Sequence, residues 1–212
     1  PDFAATYRAH ADPTGPRTDD PDAWATAARA AIAHAFYRLE PDEPADPWLQ
    51  RALEATDRAL ALDADHVPAL LLRAQALGER GLTAGFPDLN FPKRLRTMLE
   101  HAYALAPDDP DAQVALGLYH LELTRRGMGW AFQARADRGH ELTRRGLDAA
   151  PPGRLDLRLM VGRMHLDRGE TELGLELLRE VERTEGRPEQ LDAFQREVLA
   201  EVRELLDAYA EP

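Results

Sequence analysis

The sequence predicts an all-α protein built of stacked antiparallel helix pairs. Three observations carry this prediction. The first is the stretch from Leu155 to Gly186, LDLRLMVGRMHLDRGETELGLELLREVERTEG. Leu157, Met160, Val161 and Met164 recur there at helical spacing, Gly169-Glu170 interrupts, and Leu173, Leu177, Leu178 and Val181 resume the stripe. The second is recurrence. ALALDAD at 59–65 falls on AYALAPD at 102–108, an offset of 43, and Pro107 falls on Pro151, an offset of 44. Leu116-Gly117 likewise falls on Val161-Gly162, and His120 on His165, both at an offset of 45. Self-similarity at such a period marks a helical repeat. The third is the residue set. Ala, Leu, Glu and Arg are abundant, Val and Ile are scarce, and no stretch alternates with period two. These are strong helix formers, and no strand is predicted.

Taken in order, Asp2 to His10 reads as a short helix with Phe3 and Tyr7 on one face, and DPTGPRT at 12–18 as a linker. Asp20-Pro21 opens the next helix, Asp as N-cap and Pro at the first helical position, and the run continues to about Leu39. Its many alanines predict a close helix–helix approach. After PDEPADP, Asp46-Pro47 repeats the start signal for a helix ending at Leu62. A turn at 63–67 leads into a helix from Pro68 to Arg80. The last helix opens near Arg187-Pro188, with Leu191, Phe194, Val198, Val202, Leu205 and Tyr209 as its stripe. The predicted layout is one domain over 1–212: N-terminal helices and linker at 1–46, a repeat array at 47–186 and a capping helix at 187–212.

Composition narrows the function. Apolar residues make up 44 % and charged residues 30 %, ordinary values for a folded protein. A net charge of -12 argues against nucleic acid and anionic membrane surfaces as partners. The absence of cysteine removes disulfides, thiolate metal sites and cysteine catalysis. No apolar run reaches membrane-spanning length. The chain opens at Pro1, which is compatible with a removed leader carrying a signal or lipid anchor.

The stretch from Leu155 to Gly186 resembles the tetratricopeptide repeat (TPR) family, whose unit is about 34 residues. His165 stands where the family has a tyrosine, Gly174 at the small residue of the second helix, and Gly186 at the closing proline. The resemblance extends loosely over Pro47 to Gly186, but the earlier units are about ten residues longer than the family norm. The excess lies at Gly81–Pro92 and at Leu121–Phe132. The resemblance implies a right-handed superhelix with enlarged repeats and a C-terminal cap. It also implies a non-catalytic interaction or scaffold module for a protein or peptide partner. The layout is similar, too, to the TPR-like periplasmic lipoprotein component associated with TRAP transporters. That likeness implies a small-molecule-binding accessory protein of a solute transport system and favours a periplasmic over a cytoplasmic location, both of which the sequence leaves open.

The two enlargements carry the main candidate site: Phe86, Leu89, Phe91, Met128, Trp130 and Phe132. Six apolar side chains in loops either fold back onto the core or form a pocket or docking patch for a partner or a small apolar ligand. Because the insertions occupy equivalent turns of neighbouring units, these side chains are expected to converge. Trp130 is expected to be mostly buried and Phe91 nearer the rim of a cleft. ELTRRG occurs twice, and Arg125, Arg126, Arg144 and Arg145 form a candidate anion site. The competing reading neutralises them with neighbours such as Glu122 and Glu141 on solvated helix faces. The seven histidines show no HExxH pair, and the equivalence of His120 and His165 points to packing, so no metal is expected. No Gly-x-Ser-x-Gly, phosphate loop or dinucleotide fingerprint occurs, so neither an enzyme nor a cofactor is expected.

Overall fold

The fold is that of a computed structural model, which describes residues 2–11, 19–37, 43–84, 90–151, 153–184 and 191–210. Among the described residues there are ten helices and no strands, and most consecutive helices pack on one another as pairs. The helices are α1 (Phe3–His10), α2 (Pro21–Tyr37), α3 (Asp46–Leu62), α4 (Val67–Ala84), α5 (Phe91–Leu105), α6 (Pro110–Arg125), α7 (Ala136–Ala149), α8 (Leu155–Asp167), α9 (Thr171–Thr184) and α10 (Ala193–Ala210). They divide into two compact units, Pro1–Pro107 and Asp108–Pro212.

In the first unit α1 packs on α2, α2 on α3 and α4, α3 on α4, and α4 on α5. The start signals act largely as the sequence implies. The Asp2 carboxylate accepts from Ala5 N at 2.8 Å, and that of Asp20 accepts from Asp22 N at 3.0 Å, opening α2 at Pro21. Asp46 is a correction: it lies inside α3, which Ala45 caps without a side-chain bond. The Asp46 carboxylate instead receives Arg80 Nε of α4 at 2.6 Å. The core is alanine-rich. Ala27, Ala28 and Ala31 of α2 are fully buried, as are Ala52 and Ala59 of α3, and Trp24 and Trp48 fill the space these short side chains leave. Thr56 lies in this core with its hydroxyl donating to Leu53 O at 2.8 Å.

The second unit holds two pairs, α6 with α7 and α8 with α9, which meet through α6, α7 and α8, with α10 against α8 and α9. Both pairs cross at glycines. A Cβ on Gly162 would lie 3.3 Å from Gly174 O, and one on Gly174 would lie 2.9 Å from Gly162 O. Gly117 and Gly139 repeat this, each 3.0 Å from the other's carbonyl oxygen. The flanking residues match as well: Leu166 presses on Gly174 as Leu121 presses on Gly139. Hence α6–α7 and α8–α9 are two copies of one crossing, in which helix backbones touch where side chains are missing.

The first helix of each pair also stops in the same way. At α6, Gly127 (φ 70) sends its N–H to Thr124 O and Met128 N–H goes to Leu123 O. At α8, Gly169 (φ 76) bonds Leu166 O and Glu170 N–H bonds His165 O. This is a Schellman stop, for which glycine tolerates the left-handed conformation. The shared landmarks locate the enlargement. Gly117 to Gly139 spans 22 residues and Gly162 to Gly174 spans 12. Of the ten extra, three lengthen α6 before its stop and seven lie between Gly127 and the crossing glycine of α7.

α10 covers the last pair with Val198, Leu199 and Val202, all buried. Gln195, also buried, accepts from Leu155 N at 3.1 Å and so satisfies a free amide at the start of α8. Arg154, just before α8, makes a bidentate bond to Asp111 of α6 at 2.6 and 2.5 Å and reaches Asp156 at 3.0 and 2.9 Å. The hydrogen bonds it donates to Asp111 raise the pKa of the Arg154 guanidinium, which stays fully charged.

Candidate functional site

The enlarged turn of the second unit, residues 126–135, is the feature that the α8–α9 pair lacks. It is a built structure. Ala131 N and Phe132 N both bond Met128 O, at 3.1 and 3.3 Å, and Ala134 N bonds Gly129 O at 2.8 Å. Ala134 is buried, and Gln133 takes a positive φ of 54° to bring the chain back. Two residues of α6 hold the returning strand of chain: Tyr119 donates its hydroxyl to Phe132 O at 3.4 Å, and His120 Nδ1 accepts from Arg135 N at 3.3 Å. His120 is buried, so the packing role read from the repeat applies to it.

Within this turn Met128 and Phe132 are half-buried, whereas Trp130 is 89 % exposed. The expectation that Trp130 is mostly buried is therefore corrected. Gly129 lies against Thr124 and the Ala134 carbonyl, and the backbone bonds close the loop without Trp130. Phe91 is corrected in the opposite sense. It is not in a loop but is the first residue of α5, with Pro92 behind it, and it is only 5 % exposed. Its ring fills the space beside Gly81 of α4, where an added Cβ would come within 2.7 Å. α4 itself runs to Ala84, so the separation between these helices is shorter than Gly81–Pro92. Phe91 belongs to the first unit, and Met128, Trp130 and Phe132 belong to the second. Phe86 and Leu89 lie outside the described residues.

Three of the four arginines of the candidate anion site face carboxylates. Arg125 donates to both oxygens of Glu122 at 2.8 Å, and Arg126 joins the same carboxylate. Burial works against the Glu122 charge, but the hydrogen bonds from Arg125 and Arg126 outweigh it and hold the carboxyl below its ordinary value. Arg144 pairs with Asp148 at 2.9 Å, one turn along α7, rather than with Glu141, and Arg145 is half-buried on the same helix. Intramolecular neutralisation thus accounts for three of the four. A concavity also runs along α9, lined by Glu172, Leu175, Glu176, Arg179, Glu182 and Arg183; a lining this charged differs from the apolar walls of ordinary small-molecule sites. No helix among the described residues is long and apolar enough to cross a membrane.

No family model and no curated protein matches this sequence. Among solved structures, the crystal structure of MamA is similar. It is 16 % identical over 87 % of this chain and 89 % of its own, with a TM-score of 0.45.

What sequence reasoning missed is a meeting of side chains from three separate segments. His140 of α7 stacks on His165 of α8 with ring centroids 5.5 Å apart, and Glu170, in the turn before α9, bonds His165 Nδ1 through Oε2 at 2.6 Å. The equivalence of His120 and His165 pointed to the position of His165, but spacing along the chain could not bring His140 to it.

Proposed function

We propose that this protein is a non-catalytic interaction module of TPR type, in which the turn at 126–135 presents Trp130 to a protein or peptide partner. The observation that carries the reading is Trp130 itself, 89 % exposed on a loop whose backbone is tied to α6 through Tyr119 and His120. Leaving an indole in water forgoes burial energy, whereas tryptophan is prominent among residues that anchor interfaces. A tied loop has already lost its conformational entropy, so docking the indole costs less than it would from a free chain. Met128 and Phe132, half-buried on either side, supply an apolar base around it.

The small-molecule accessory reading needs Phe91 and Trp130 to line one closed pocket. A ring sealed against Gly81 and an indole almost fully in water do not make such a wall. The interaction reading is tested by quantitative affinity capture, with the parent and Trp130→Ala proteins immobilised at equal density. Partners bound through the loop should fall at least tenfold on the variant, the scale of an anchor residue. Equal recovery on both proteins would refute the assignment.

A further inference from the structure

We propose that His140, His165 and Glu170 form a binding site for a divalent transition-metal ion of the zinc class, clamping the α6–α7 pair to the α8–α9 pair. One ligand atom from each residue lies within 4.8 Å of the other two. Two imidazole nitrogens and one carboxylate oxygen are a donor set suited to Zn2+ and its first-row neighbours, and three protein ligands leave a fourth position to water. The three residues come from α7, the last turn of α8 and the α8–α9 turn, so an ion here would join both helix pairs.

The geometry is that of a site needing small adjustments: His165 Nδ1 and Glu170 Oε2, 2.6 Å apart, must open, while His140 must close in. His140 Nε2 stands 3.8 Å from Glu170 Oε1, too long for a hydrogen bond. Ligands of a tetrahedral zinc with bonds near 2.1 Å lie about 3.4 Å apart, within reach of small side-chain rotations. His140 has 38 % of its side chain exposed, which gives an ion a path in and the ring freedom to turn. His165 has 8 % exposed and is held by packing. On binding, His165 Nδ1 would coordinate the metal in place of its contact with Glu170 Oε2.

Arg168 is the group that opposes a cation, but it is already engaged. It donates to Glu170 Oε1 at 2.9 Å, to Leu121 O at 2.9 Å and to Thr124 Oγ1 at 3.1 Å. It thus fixes the Glu170 carboxylate and leaves Oε2 towards His165, the part an outer hydrogen bond plays for a metal-binding carboxylate. Its charge weakens the affinity without removing the donors.

The test is calorimetric titration of the tag-free full chain, stripped with chelator, with Zn2+, together with Co2+ absorption spectra. The parent should bind one equivalent of Zn2+, show cobalt d–d bands of a nitrogen–oxygen site, and melt at a higher temperature with zinc than without. His140→Ala should bind at least tenfold more weakly and lose the zinc-dependent rise, while its metal-free melt stays near the parent's because the ring is partly exposed. Glu170→Gln should weaken binding as well, and His101→Ala, whose ring faces Asp65 in the first unit, should change nothing. No saturable zinc binding, or binding and melting shifts unchanged in His140→Ala, would overturn the proposal.

Discussion

Phe91→Ala is expected to lower the stability of the protein by about 3–5 kcal/mol, while Trp130→Ala shifts it by less than about 0.5 kcal/mol. Both replacements remove an aromatic ring, and the difference lies in what surrounds each one. Phe91 is 5 % exposed and closes the gap beside Gly81, so truncation leaves a cavity between α4 and α5 that Gly81 has no side chain to fill. Trp130 has 89 % of its surface in water, and the turn that carries it closes through backbone bonds and through Tyr119 and His120. Thermal and urea melts of the two variants measure this. Equal losses would mean that Trp130 contributes to the core and is no free anchor.

The second large effect concerns the glycine crossings. Gly117→Leu and Gly162→Leu should each destabilise by about 1–3 kcal/mol through overpacking. Gly117 should stand at the upper end. A Cβ there would meet Thr143 N at 2.9 Å and Gly139 O at 3.0 Å, both backbone atoms that move only if the helices part. At Gly162 the nearest atom is the Leu178 Cδ2 methyl at 3.0 Å, which has some room to turn. Gly78, in the middle of α4, is the control: nothing lies within 4 Å of its added Cβ. Gly78→Ala should therefore stabilise the protein, by up to about 1 kcal/mol, through helix propensity alone. A Gly117→Leu protein as stable as the parent would remove the case for two equivalent crossings.

Local signals were the legible part of this chain. The α8–α9 pair could be read because Gly162, Gly169 and Gly174 punctuate a clean apolar stripe, and α2 because Asp20 caps it ahead of Pro21. Gly139 was missed as the partner of Gly117 because the longer α6 and its turn shift it by ten residues against the pattern set by Gly174. Asp46-Pro47 carries the same letters as Asp20-Pro21, yet Arg80 from α4 draws the Asp46 carboxylate away from the cap. In α10 the stripe was rotated slightly: Val198 and Val202 are buried as read, but Leu199 and Gln195 are buried beside them and Tyr209 is 47 % exposed.

The candidate site was less legible, for a physical reason. Ranking side chains by apolar character places tryptophan inside, but burial depends on what lies opposite, and a glycine opposite Phe91 made room for that ring instead. The cluster of His140, His165 and Glu170 has no signature in spacing, because two helices and a turn supply one residue each.

The proposal that Trp130 is the anchor of an interaction surface meets its most direct test in site-specific photo-crosslinking. A photoreactive phenylalanine analogue at position 130 should give a discrete adduct with a partner in cells, and the same group at exposed Glu182 on α9 should not. Adducts at 182 but none at 130, or the same adducts at both positions, would contradict it.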